Sequence, residues 1–145
     1  MKYKIQKTHE DAIIPKYAHA GDSGMDVYAV EDIVIGKHSR GLVPIGLKFS
    51  IPAGEEIQIR SKSGLALKYG ITVLNSPGTI DSNYRGEVGV ILSNMTDFDF
   101  EIKKKTKIAQ IVVCPVIVVD QWFEVDDISD DSTRGVGGFG STGLN

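Results

Sequence analysis

At 145 residues, 41% hydrophobic and 24% charged, the chain has the composition of one globular domain, long enough to bury a core without disulfide or metal staples. A formal charge of −3 leaves no electrostatic footprint for nucleic acid, and no apolar run approaches a membrane span, so neither partner is expected. Residues 1–5 lack the apolar stretch of a secretory signal and the single Cys114 has no intramolecular partner, which predicts a reducing, cytoplasmic setting.

Short segments rich in β-branched and aromatic residues recur between turn signals, as an all-β sandwich or barrel requires. In chain order the predicted strands cover residues 3–7, 25–29, 33–35, 41–44, 47–51, 55–60, 71–74, 87–93, 98–102, 107–113, 116–119 and 122–125. Between the sixth and seventh, residues 63–69 predict the one short helix, with Ser63 as N-cap and Gly70 as terminator. Residues 98–102 alternate polar and apolar side chains, which implies one wet and one buried face. Residues 107–119 are more continuously apolar and are expected in the interior or at a subunit contact, with Cys114 a small buried hydrophobe.

An acidic run over residues 124–131 repels itself and predicts an extended hinge. Beyond it, residues 134–145 hold glycines, Arg134, Phe139, Ser141 and Thr142, with almost nothing to anchor them in a core. Such an end is either a flexible linker or an arm that brings backbone N–H groups to an anion. It approaches the P-loop pattern, but Ser141 stands where the lysine belongs and no helix can follow.

Two further segments, residues 20–27 and 75–86, carry polar and glycine residues where packing does not call for them. Asp22 and Ser23 read as turn residues. Asp26 enters a predicted strand, where a carboxylate needs a partner to offset desolvation. Pro77-Gly78 and Ser82-Asn83 predict two tight turns that leave residues 79–81 held between them, offering backbone groups to a base edge. Asp81 is then either an ordinary turn aspartate or a group that orients and deprotonates a water.

Residues 20–27, 63–66, 78–86, 107–110 and 134–143 reproduce, in order, the five motifs of the trimeric dUTP pyrophosphatase (dUTPase) family, which the chain resembles from near residue 20 to its end. The resemblance implies a jelly-roll fold, a distorted β-barrel with one short helix, over residues 1–125. Residues 126–145 would form an acidic hinge and a flexible arm that closes over the active site. It further implies a homotrimer with sites at subunit interfaces, and hydrolysis of dUTP to dUMP and pyrophosphate with Mg²⁺. Asp81 would activate the water that attacks the α-phosphorus, and Asp26 would reach the metal through a bound water. Asn75 and the hairpin of Gly78, Thr79 and Ile80 would read uracil, and Tyr84 would pack on deoxyribose and leave no room for a 2′-hydroxyl. Lys62, Ser63, Gly64 and Gln110 would hold phosphates; in the arm, Arg134 would meet the γ-phosphate, Phe139 the uracil face, and Gly140, Ser141 and Thr142 would complete the substrate contacts. The chain departs from the family pattern at Lys62, where arginine is usual, and at Lys105, where glycine is common. A dCTP deaminase would share the jelly roll but lacks this phenylalanine-bearing last motif, and the presence of Asp81 argues against a purely nucleotide-binding module.

Overall fold

The computed structural model describes residues 2–128 and 132–143; residues 129–131 of the predicted hinge and 144–145 of the arm lie outside them. In chain order the elements are β1 (Lys4–Lys7), β2 (Met25–Tyr28), β3 (Ile33–Ile35), β4 (Arg40–Pro44), β5 (Leu47–Ser50), β6 (Glu55–Arg60), α1 (Ser63–Tyr69), β7 (Ile71–Val73), β8 (Gly78–Asp81), β9 (Gly89–Asn94), β10 (Phe100–Ile102) and β11 (Lys107–Pro115). The strands form a four-stranded sheet in the order β2-β11-β6-β8, a three-stranded sheet β4-β9-β7, and the pairs β1-β5 and β10-β3. All pairings are antiparallel, a jelly-roll-like arrangement.

The period of two along each strand decides what faces inward. Val27, Ile57, Ile59, Ile80 and Ile111 from the larger sheet join Val43, Ile71, Val73, Val90 and Leu92 from the smaller one in a single buried cluster. Each such side chain contributes roughly 1.5–3 kcal/mol when fully removed from water. The alternate positions of the larger sheet, among them Asp26, Gln110, Arg60, Gln58, Thr79 and Asp81, point away from that core, whereas the candidate Ile80 turns its side chain into it and leaves only its backbone to the outer edge. Among the described residues Asn94 is the buried polar one, and its amide is satisfied by the carbonyls of Ile35 (3.0 Å) and Phe98 (2.7 Å) and by the Thr96 N–H (2.9 Å).

Several expectations change. Helix α1 begins at Ser63 itself, and the N-cap is Lys62, in extended conformation and without a side-chain cap bond. Gly70 ends the helix as expected, in the left-handed region at φ 61. Residues 79–81, expected to be held between two tight turns, belong to strand β8, where pairing Ile80 with Ile57 buries Ile80 while Thr79 and Asp81 stay exposed. Residues 116–119 and 122–125 form no strand. After the Val116 N–H bonds the Gly54 carbonyl at 2.9 Å the chain continues unpaired, with Ile117 95% and Trp122 84% exposed. Strand-forming side chains need a partner strand, and no described part of the same chain supplies one. Cys114 is half-buried on the outer face, its Sγ 3.6 Å from Nη2 of Arg60. Lys105 keeps the tight turn that glycine would make easily, adopting φ 66 while its N–H donates to the Ala29 carbonyl at 2.7 Å.

Candidate active site

The first group of candidate residues gathers around Asp26. Register places Asp26 opposite Gln110 and Gln110 opposite Arg60, so three neighbouring strands present polar side chains in one row. Oδ1 of Asp26 accepts from the Lys62 ammonium, and Oδ2 lies 2.9 Å from Nζ of Lys107. Partial burial pushes the Asp26 pKa up, but the two ammonium groups outweigh it and hold the carboxyl below the usual range; Asp26 in turn raises Lys107. Lys62, drawn back to Asp26, brings the start of α1, with Ser63 and Gly64, beside the same row.

Gln110 is aimed by its surroundings. Its Nε2 donates to the Ser61 carbonyl at 3.1 Å, and its Oε1 occupies the space a side chain on residue 24 would take, since a Cβ there would stand 2.3 Å away. Gly24→Ala is therefore expected to displace the Gln110 amide and lower kcat/KM about 10–100-fold, read by steady-state kinetics. A cavity of about 310 Å³ opens here, lined by Lys16, Asp22, Ser23, Gly24, Asp26 and Gln110. Among the described residues Lys16 has no carboxylate partner. Asp22 is the turn residue expected, accepting the His19 N–H at 2.8 Å.

The second group lies on and after β8. This strand is paired with β6 on one side only, which leaves an open row of backbone N–H and C=O groups on the other. Asn75 lies over the start of the strand, its Nδ2 3.4 Å from where a Cβ on Gly78 would stand. The Tyr84 N–H returns to the Asp81 carbonyl at 3.0 Å, and Nη1 of Arg85 ties the carbonyls of Ser82 (2.7 Å) and Tyr84 (2.8 Å). Asp81 is exposed and, among the described residues, makes no ion pair.

The third group is the arm. Arg134 Nε donates to the Gly137 carbonyl at 2.7 Å, and local turns join Gly137 to Arg134 and Ser141 to Gly138. Phe139, at φ 48, is fully exposed. Among the described residues the hydrogen bonds of Arg134, Gly137, Gly138, Gly140 and Ser141 are local to the arm, so within one chain Arg134, Phe139, Gly140, Ser141 and Thr142 stand apart from both other groups.

One chain does not bring the first two groups together either. Asp81 pairs with Glu56, four residues along β6 from Arg60, while Asp26 lies on the far edge strand of the same sheet. With ordinary strand spacing and rise, Asp26 and Asp81 are about 20 Å apart. Lys107, Lys16, Gly24, Arg85 and Gly86 belong to these groups without having been singled out from sequence, although Lys107, Gly24, Arg85 and Gly86 sit inside the motif stretches.

Among the described residues no three His, Cys, Asp or Glu side chains converge as a metal cage. The few carboxylates beside this polar cavity, Asp26 and Asp22, fit a hard cation such as Mg²⁺ held mainly by phosphates and water.

The dUTPase family model matches residues 10–143. The chain is 54% identical over 143 residues to the deoxyuridine 5'-triphosphate nucleotidohydrolase of Picosynechococcus sp., covering 99% of each, and 51% identical over 144 residues to that of Helicobacter pylori strain J99, covering 99% of this chain and 98% of the relative. Among solved structures, Staphylococcus bacteriophage 80alpha dUTPase with dUPNHPP superposes with a TM-score of 0.87 at 24% identity, covering 99% of both chains. A mutant dUTPase from phage phi11 of S. aureus, described as revealing the coordination of a structural Mg(II) ion, superposes with a TM-score of 0.76 at 22% identity over 88% of this chain and 99% of that one.

Proposed function

The chain belongs to the dUTPase family, and on that premise we propose that it is a cytoplasmic, Mg²⁺-dependent homotrimer hydrolysing dUTP to dUMP and pyrophosphate, limiting uracil incorporation into DNA and supplying dUMP for dTMP synthesis. The observation that carries this reading is Asp81, an exposed carboxylate with no ion pair among the described residues, beside the free edge of β8. A water oxygen attacks the α-phosphorus, Asp81 accepts the water's proton, and the bond to the bridging oxygen breaks as pyrophosphate leaves. Asp26 would hold Mg²⁺ by way of a bound water, and the ion would neutralise charge on the triphosphate. Lys62, Ser63, Gly64 and Gln110 orient the phosphates. The backbone of Gly78, Thr79 and Ile80, with Asn75, reads uracil, and Tyr84 packs on the deoxyribose. Arg134 meets the γ-phosphate, Phe139 covers the base, and Gly140, Ser141 and Thr142 close the arm over the site and exclude water.

The same geometry supports assembly. The separation of Asp26 from Asp81 within one chain favours sites completed by groups from different subunits. The chain also exposes an apolar segment, with Ile117, Trp122 and Phe123, and an apolar cavity of about 450 Å³ lined by Ile5, Phe49, Ile57 and Val113. An apolar segment and an apolar cavity left open in one chain are what a self-associating subunit presents.

Pyrophosphate release measured with Mg²⁺ on dUTP, dTTP, dCTP and UTP tests the reading. Rapid turnover of dUTP alone is expected, and comparable turnover of dTTP or UTP would contradict the base and sugar filters.

A further inference from the structure

Gly86 closes the third motif next to Tyr84. A Cβ on residue 86 would stand 2.2 Å from Oη of Tyr84, 2.5 Å from Cζ and 3.0 Å from Cε2, so the ring lies against backbone that only glycine leaves bare. Gly86 is absent from the glycines with positive φ, so its own backbone admits alanine and the Tyr84 ring is the obstacle. The Tyr84 hydroxyl donates to the Glu87 carbonyl at 3.0 Å. That stretch is itself fixed: Oε2 of Glu87 accepts from Thr8 at 2.5 Å, and the Val88 N–H donates to the Leu47 carbonyl at 2.9 Å. From the other side Arg85 ties the carbonyls of Ser82 and Tyr84. Tyr84 is 46% exposed, so anchored backbone, rather than enclosure in the core, holds its ring.

We propose that Gly86 is a positioning residue for sugar selection, fixing the Tyr84 ring as the surface that leaves no room for a ribose 2′-hydroxyl. The inference rests on the reading of Tyr84 as the sugar filter. Steric rejection of one hydroxyl requires a wall that does not yield, and a ring on a loose side chain yields. A methyl group on residue 86 would push the ring by about 1 Å to restore ordinary contact, and a shift of that size is large on the scale of site geometry.

The test compares kcat/KM for dUTP with that for UTP in the full-length protein, with melting temperature and oligomeric state as controls. In Gly86→Ala the dUTP/UTP ratio is expected to fall about tenfold or more, through a higher KM for dUTP and a better reaction with UTP. Tyr84→Phe, which keeps the ring and removes its anchor, is expected to lower the ratio about 2–10-fold without touching the backbone. In a Tyr84→Ala background, Gly86→Ala should change the ratio no further. A ratio in Gly86→Ala at or above wild type, or a full additional effect in the Tyr84→Ala background, overturns the inference. If Tyr84→Ala itself leaves the ratio unchanged, the sugar reading of Tyr84 has failed and the inference falls with it. If Tyr84→Ala relaxes the ratio and Gly86→Ala does not, the role of Gly86 alone is refuted.

Discussion

Asp81→Asn is expected to bind a non-hydrolysable dUTP analogue as tightly as wild type while kcat falls about 10²–10⁴-fold, the range for loss of a positioned general base. The amide keeps the size of the carboxylate and cannot take the proton of the attacking water. Nothing structural is lost with the charge, since among the described residues Asp81 makes no ion pair and its strand is held by backbone pairing to β6. The residue directly opposite is Glu56, a like charge, so removing one of the two should leave the melting temperature unchanged or slightly higher. Glu56 is itself engaged, its Oε1 accepting from Nε2 of Gln58 at 2.6 Å. Pyrophosphate release gives kcat and calorimetry gives binding; retained turnover would remove Asp81 as the base.

Much of this molecule is legible in its sequence where the signal is local. Alternation over residues 98–102 implied one wet and one buried face, and in β10 Glu101 is exposed while Ile102 is buried; Gly70 marked the end of α1, where it adopts a left-handed φ. What escaped depends on distant neighbours. The turn pairs Pro77-Gly78 and Ser82-Asn83 marked residues 79–81 as a stretch held between turns, but that this stretch is a strand paired with β6 depends on residues more than twenty positions earlier. The composition of residues 116–125 reads as strands, yet no described partner within the chain makes them so. Lys62 takes the N-cap that Ser63 was expected to fill, and its side chain is drawn to Asp26, which lies 36 positions earlier. Gly24 and Gly86 show the same limit within the candidate site. Their motifs mark them, but the reason for glycine is a close approach by Gln110 in one case and Tyr84 in the other, and a close approach across the fold leaves no periodic trace in sequence.

If each site is shared between subunits, two damaged chains will rescue one another. Asp81→Asn lacks the base. Asp26→Asn lacks the carboxylate that holds Lys62 and Lys107 and is expected to be strongly impaired as well. In one chain these positions are about 20 Å apart, at opposite edges of the four-stranded sheet. If Asp81 from one subunit meets Asp26 from another, equal amounts of the two variants, dissociated and reassembled together, will form some interfaces that carry both intact residues. Random assortment makes that about a quarter of the sites in a cyclic assembly. The decisive measurement is pyrophosphate release from dUTP by this reassembled mixture against each variant reassembled alone. Recovery of about a quarter of wild-type activity is the expected result, from variants that each show almost none. A mixture no more active than the average of its two components would place the whole site within one chain and rule out sharing between subunits.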